Sequence, residues 1–251
     1  EGNTDPIRDI EIINVELILA DLEIIENRLN KIMKKAETTK DKDAVAEVSV
    51  LTKAKENLEK NIPLRLVDFS EEEKMLMKNF SFITLKPLIY VANVLEDDVV
   101  VGENNYTKLV SEYAAKEQAG VIVMCCKMES ELSELNDDDK KLFLQELGIN
   151  SSGLDRLIFA TYSLLGLETF FTAGPDECRA WTFKRGANAK SCAGLIHSDI
   201  ERGFIKAEVM SFDDLYQYKS ELKVKEAGKL RLEGKDYLMQ DGDIVYFRFN
   251  V

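Results

Sequence analysis

Along the first sixty residues, apolar side chains return at alternating three and four residue steps. Ile10, Ile13, Leu17 and Ile24 form one register, and Leu22, Ile25, Leu29 and Ile32 a second. This spacing predicts a long amphipathic helix. Asp5-Pro6 opens it, because Asp can accept from the orphan amides and Pro is tolerated at the first helical position. A polar stretch over 37–43 breaks the pattern, which resumes at Val48, Leu51, Leu58 and Ile62 before Pro63 ends it. Two antiparallel helices joined at 37–43 follow, a coiled-coil hairpin, although two helices of any bundle fit the spacing equally. Ser70 and Glu73 have capping-box spacing, which predicts a short helix over 71–79.

The texture then changes. Leu88-Ile89-Tyr90-Val91-Ala92 is a continuous apolar run, as expected for a strand covered on both faces of a parallel sheet. A helical stretch at 105–118 and a second apolar run, Val121 to Cys125, complete a βαβ unit. Two such strands need further strands to make a domain. Asn150-Ser151 opens another amphipathic helix carrying Leu154, Leu157, Ile158, Tyr162 and Leu165, which Gly166 ends. Beyond it, segments of β character at 169–172, 179–183, 204–210, 237–239 and 244–249 alternate with short helical ones. Asp241-Gly242-Asp243 between the last two reads as a hairpin turn. The pattern is that of a small α+β domain with a mixed sheet.

Composition narrows the classes. The 251 residues are 45% hydrophobic with 4 Pro and 13 Gly, a globular balance. No apolar run approaches the ~18–20 residues that span a bilayer, and the first residues have no signal-peptide pattern, so no membrane partner is expected. Four cysteines (Cys125, Cys126, Cys178, Cys192) and a single histidine supply neither a disulfide framework nor a zinc pattern, and a cytoplasmic location fits. A net charge of −13 argues against a nucleic-acid partner until its distribution is seen. Residues 1–79 hold 13 basic against 18 acidic residues, 80–167 hold 7 against 14, and 168–251 hold 13 against 14. The final segment is near neutral and does not exclude RNA.

Candidate chemistry sits at the ends of the apolar runs, since open α/β sheets bind ligands outside the carboxyl ends of their strands. The first run leads into Asn93-Val94-Leu95-Glu96. Guanine-specific P-loop proteins carry Asn-Lys-x-Asp here, whose Asp accepts from guanine N1 and N2. Val94 and Glu96 replace that Lys and Asp. Adenine offers an N6 donor beside an N7 acceptor, and one Asn amide can satisfy both. Asn-x-x-Glu alone is a common sequence, and a plain strand-to-loop Asn is its bland reading.

Context sharpens it. Val91-Ala92-Asn93-Val94, Cys125-Cys126-Lys127, Phe170-Phe171-Thr172-Ala173-Gly174-Pro175, Arg179-Ala180-Trp181-Thr182, Ala193-Gly194-Leu195-Ile196-His197-Ser198-Asp199, Glu201-Arg202-Gly203-Phe204-Ile205, Ala227-Gly228-Lys229, Gly234-Lys235-Asp236-Tyr237 and the closing Phe247-Arg248-Phe249-Asn250-Val251 together resemble one family. It is the YchF or Obg-like ATPase family of translation-related P-loop NTPases, and the resemblance runs over the whole chain. It implies an α/β P-loop NTPase domain, represented by its C-terminal part at 80–167. It further implies an inserted α-helical coiled-coil hairpin with flanking helices at 1–79 and a C-terminal α+β TGS domain of ubiquitin-like β-grasp form at 168–251. By the same resemblance the intact protein is an ATPase that prefers ATP over GTP, uses Mg²⁺ and associates with ribosomes; a cytoplasmic monomer that meets the large subunit and its RNA, with no DNA partner, is the expectation. Asn93, Val94 and Glu96 match the base-recognition motif, and Cys126 and Lys127 lie in the loop where relatives read Ser-Ala-Lys, a departure that bears on the contact to the base.

A phosphate-cradling G-x-x-x-x-G-K-[ST] loop is absent from the 251 residues. Gly148 and Gly153 have the separation, but Leu154 and Asp155 follow them. The family's metal ligands and hydrolytic His lie upstream of a segment matching Glu1 to Pro6. No catalytic or metal residue is therefore assigned in this chain, which begins at Glu1 as a processed or truncated chain would, and alone it is expected to be inactive. Structural roles are expected for His197, Trp181 and the two adjacent cysteines, and a helix-dipole role for Asp137-Asp138-Asp139. Arg179, Lys184, Arg185 and Lys190 form the densest basic cluster of the last domain. They are a solvated loop or a contact to ribosomal RNA, one to which Lys219, Lys223, Lys225 and Lys229 would add. The competing function is a non-catalytic ribosome or RNA adaptor acting through the coiled coil and the last domain.

Overall fold

The computed structural model describes residues 4–39, 41–174 and 177–250. Glu1 to Asn3, Pro175 and Val251 of the motifs above, and Lys40 of the expected interhelical loop, lie outside the described residues. Packing divides the chain into two units, 1–157 and 158–251.

The first unit opens with α1 (Pro6–Thr39) and α2 (Lys42–Leu58). Asp5 Oδ1 accepts from Arg8 N at 3.1 Å, as the Asp-Pro opening requires. Asp41 caps α2 by accepting from the amides of Asp43 and Ala44. The ion pairs Arg28–Glu47 and Lys55–Glu26 set the antiparallel order. Of the two apolar registers on α1, only the second is the seam. Ile25, Leu29 and Ile32 are buried, with Ile18 beside them, whereas Ile13 and Ile24 are exposed. Facing them on α2 are Val50, Leu51, Ala54 and Leu58. The second helix stops at Leu58 rather than running to Ile62, because Asn61 turns left-handed (φ 58°) and breaks the ladder before Pro63. One polar residue of α1 is buried as well, against the segment that follows α3. Asp21 is fully buried, and its carboxylate accepts from the amides of Ile83 (2.9 Å) and Thr84 (2.7 Å) and from the Thr84 hydroxyl (2.6 Å).

A 3-10 turn at Leu64–Leu66 leads to α3 (Glu71–Met77), where the Ser70–Glu73 capping box forms in both directions. The α-helix ends two residues earlier than expected and continues as a 3-10 turn, Lys78–Phe80, ended by left-handed Ser81. Next come β1 (Ile89–Asn93), α4 (Glu96–Val101), α5 (Asn105–Lys116) and β2 (Gly120–Met124). β1 and β2 pair in parallel from Ile89↔Gly120 to Asn93↔Met124. The expected covering on both faces is not met: no other described strand joins them, and Val91 is exposed.

The hairpin meets this sheet through a buried polar cluster. Arg65 Nη2 donates to Glu117 Oε2 at 2.8 Å and to Asn14 Oδ1 at 3.3 Å. Tyr90 on β1 donates its hydroxyl to the same Glu117 oxygen at 2.9 Å. Asn14 Nδ2 reaches the Tyr113 hydroxyl on α5, and the Tyr113 ring meets Tyr90 edge to face.

The unit continues through α6 (Cys126–Ser133) and α7 (Asp137–Glu146) into α8 (Gly153–Leu164). The α8 helix begins after the expected Asn150-Ser151, because Ser152 Oγ is the group that accepts from Asp155 N. Gly166 follows its end with φ 60°, as anticipated.

In the second unit, β3 (Leu167–Ala173), β4 (Cys178–Lys184), α9 (Ala189–Ile196), α10 (Ser198–Arg202), β5 (Phe204–Ser211), α11 (Phe212–Tyr218), α12 (Glu221–Glu226), β6 (Arg231–Glu233) and β7 (Asp243–Phe249) follow. The sheet order is β4-β3-β7-β5-β6, with β3 and β7 parallel and the other pairs antiparallel. Phe170, Phe183, Cys192, Ala207, Val209, Met239, Val245 and Phe247 form its core. Two expectations fail here. Residues 237–239 make only an isolated bridge, Asn188↔Leu238, and Met239 is held by packing. Asp241-Gly242-Asp243 is thus not a hairpin turn: left-handed Gly242 (φ 81°) donates to Thr169 O and delivers β7 between β3 and β5. The three-residue β6 was not anticipated. Among the described residues no helix is long and apolar enough to cross a membrane.

Candidate functional site

Because β1 and β2 are parallel, their carboxyl ends open onto the same side and their loops emerge together. Asn93 is the last residue of β1, and Val94 N extends the ladder by donating to Met124 O at 2.9 Å. The Asn93 side chain crosses to the second loop, where its Oδ1 accepts from Cys126 N at 3.0 Å. Its Nδ2 has no hydrogen-bond partner among the described residues, and the residue is exposed. Glu96, the first residue of α4, accepts from Lys127 Nζ at 3.0 Å. That hydrogen bond, followed by the Coulombic attraction of Glu96 and Glu131, raises the Lys127 pKa. Both partners are solvated, so the pair orients the loop more than it stabilises it.

The five residues singled out at the strand ends, Asn93, Val94, Glu96, Cys126 and Lys127, therefore come together. The cysteines do not both end the strand as expected. β2 stops at Met124, Cys125 is buried beside Val99, Met128, Leu132 and Leu144, and Cys126 is the exposed first residue of α6. The site's polar edge is an amide with a free donor, Asn93 Nδ2, beside an Oδ1 that has one lone pair left.

Three residues to which the sequence assigns no role brace this loop. Glu129 on α6 accepts from the first two amides of α8, Gly153 N at 2.6 Å and Leu154 N at 3.1 Å. Arg156 Nη2 donates to Val123 O on β2 at 2.9 Å. Gly153 lies so close that a Cβ there would sit 2.6 Å from Met124 Cβ. The one sequence sign was a glycine within the first turn of an amphipathic helix, where it lowers helix propensity.

The basic residues of the second unit make separate contacts. Arg179 shares the inward face of β4 with Trp181 and Phe183, and its guanidinium lies 4.3 Å from the centroid of the Trp181 ring. Lys184 projects from the opposite face. Arg185 is paired with Glu168 at 2.8 Å, and Lys190 is exposed in the first turn of α9. His197 has the structural role expected: its Nδ1 accepts from Asp199 N and caps α10. Trp181 packs against the core and donates to Thr172 Oγ1. Asp137 to Asp139 fill the first turn of α7, capped by Asn136. Burial pushes the Cys192 thiol up to about 12, leaving it unreactive. Among the described residues no group of three or more His, Cys, Asp or Glu could hold a metal.

Comparison with known proteins bears on this site. The family model YchF-GTPase_C, described as a protein of unknown function, matches residues 167–250. A ribosome-binding ATPase YchF from Bacillus subtilis is 56% identical over 252 residues, covering 100% of this chain and 68% of the relative. An Obg-like ATPase 1 from Xenopus laevis is 41% identical, covering 100% of this chain and 64% of the relative. The solved structure of the Schizosaccharomyces pombe YchF GTPase superposes with a TM-score of 0.86 at 32% identity, over 99% of this chain and 67% of that one.

Proposed function

Because the chain belongs to the YchF and Obg-like ATPase family, we propose that Asn93 and the Cys126-Lys127 loop hold the adenine of ATP in a cytoplasmic, ribosome-associated ATPase. The observation that carries this reading is the hydrogen bond from Cys126 N to Asn93 Oδ1. It fixes the amide so that Nδ2 can donate to adenine N7 while the remaining Oδ1 lone pair accepts from N6. Guanine presents O6 where adenine presents N6. Its oxygen would meet Asn93 Oδ1 acceptor to acceptor, and the Cys126 N–H is already engaged by that same oxygen. Val94 packs beside the base, and the Glu96–Lys127 pair borders it.

In this reading residues 1–79 are the coiled-coil insertion, 80–167 the C-terminal part of the nucleotide domain and 168–251 the TGS domain. Mg²⁺ and the phosphates are handled by groups outside the two strand-end loops, since no G-x-x-x-x-G-K-[ST] occurs in the 251 residues. This chain alone does not turn over ATP; its residues bind and orient the base.

The test is titration of ATP and GTP into the intact protein. ATP is expected to bind more tightly, and Asn93→Ala to weaken ATP by about tenfold, the equivalent of one or two hydrogen bonds. Equal affinity for the two nucleotides, or an unchanged Asn93→Ala, rejects the adenine site.

The relatives' name, ribosome-binding ATPase, supports the ribosome as partner. Lys184 and Lys190, which make no ion pair among the described residues, are the preferred contacts to large-subunit RNA; Arg179, stacked on Trp181, and Arg185, paired with Glu168 through Nε, keep guanidinium donors that can add to them. Co-sedimentation of the monomeric protein with ribosomes is expected to weaken with salt and on Lys184→Glu with Lys190→Glu. Unchanged sedimentation of the double variant removes this surface from the interface.

A further inference from the structure

The base contact proposed above depends on where the Cys126 amide sits, and that amide belongs to a corner held on both sides by α8. Arg156 grips the last turn of the β2 ladder at Val123 O. Glu129, three residues after Cys126, holds the amides of Gly153 and Leu154. The carboxylate acts as a remote cap for the first turn of α8, which places a negative charge at the positive end of that helix. Gly153 makes the approach possible: a Cβ at this position would meet Met124 Cβ at 2.6 Å, which cannot retreat without moving β2, and Glu129 Oε1 at 2.9 Å, which could yield only by swinging off the α8 amides it holds. Val123, Met124 and Glu129 thus bracket Cys125-Cys126-Lys127 along the chain, and Cys125 is buried against Val99, Met128, Leu132 and Leu144.

We propose that Glu129, Gly153 and Arg156 are positioning residues for nucleotide selectivity: α8 clamps the β2–α6 corner so that Cys126 N–H stays on Asn93 Oδ1 and is withheld from the base. This rests on the adenine reading of Asn93. Loosening the clamp frees the Cys126 amide as a backbone donor toward guanine O6. The same change lets the Asn93 amide rotate away from its adenine-matching orientation. ATP affinity therefore falls while GTP affinity holds or rises, a divergence that general unfolding does not produce.

The experiment compares Glu129→Gln, Gly153→Ala and Arg156→Met in the intact protein, with Asn93→Ala in parallel. In Glu129→Gln the side-chain amide can accept from one of the two α8 amides but turns a donor toward the other. The ATP to GTP affinity ratio is expected to fall about tenfold, and hydrogen exchange at the Cys126 amide to accelerate by a similar factor. Glu129→Asp, which keeps the charge, recovers part of both. The clamp is overturned if Asn93→Ala weakens ATP but the α8 variants leave the ratio and the Cys126 exchange unchanged, or weaken both nucleotides equally. If Asn93→Ala itself has no effect on ATP, the adenine reading fails, and faster Cys126 exchange alone then shows a bracing role without selectivity. Arg156→Met, which acts from the other side of the corner, decides the matter should Gly153→Ala fail to fold.

Discussion

Replacing Glu117 by Ala tests whether the polar cluster beneath the hairpin joins its elements or merely decorates them. Arg65 and Glu117 side chains are each only 8% exposed. The carboxylate takes two donors, Arg65 Nη2 at 2.8 Å and the Tyr90 hydroxyl at 2.9 Å. Without it, Arg65 keeps only the 3.3 Å contact to Asn14, and its Nε already has no hydrogen-bond partner. Stranding one partner of a buried ion pair costs about 3–5 kcal/mol, against about 5–15 kcal/mol for the whole stability of a domain. Removing both charges together costs far less, because no uncompensated ion remains. Urea unfolding followed by far-ultraviolet circular dichroism reads the helical first unit, while the fluorescence of Trp181, the chain's single tryptophan, reports on the second. The expected order of stability is wild type, then Arg65→Met with Glu117→Leu, then Glu117→Ala. A loss below about 1 kcal/mol in Glu117→Ala, or a double variant no better than the single one, refutes the account.

Burial, and then the hydrogen bond to Asp243, pushes the Tyr237 hydroxyl up to about 12 from 10.0. A raised folded-state pKa means the contribution is complete below the unfolded value and lost as pH climbs from there toward the folded one. Urea midpoints of the second unit should therefore decline between about pH 10 and 12, less steeply in Tyr237→Phe; parallel slopes would contradict this. A Cβ at position 203 would sit 2.2 Å from Asn250 O, where Gly203 O also accepts from Asn250 N. Gly203→Ala should consequently destabilise the second unit by about 1–3 kcal/mol in the same assay, and a neutral result would show that the chain beyond β7 can yield.

The elements legible in the sequence were those whose signal is local or strongly periodic. The Ser70–Glu73 box and the three-and-four rhythm of α1 formed as read, because caps and helix faces are decided within a few residues. Choosing between the two registers of α1 required the partner helix, since Ile13 and Ile25 are equally apolar in isolation. Residues 237–239 resemble a strand because core packing demands the same side chains as a ladder; only the backbone partners distinguish them. Asn93 and Glu96 were visible as a motif. The bond from Cys126 N to Asn93 Oδ1, spanning 33 residues, and the grip of α8 on Glu129 depend on strand pairing and helix placement, which no spacing rule encodes.

Asp21 gives the hairpin a fixed index. Two helices joined by an apolar seam can slide by a turn with little change in buried area, since one aliphatic contact replaces another. A fully buried carboxylate has no such freedom. It is satisfied only opposite the amides of Ile83 and Thr84, and any shift of α1 would leave it uncompensated. The distance from that point to the far end of the hairpin is therefore set by helix rise alone, so that a deletion or insertion of residues between Asp21 and the loop would change the reach of the hairpin in fixed steps without altering its base.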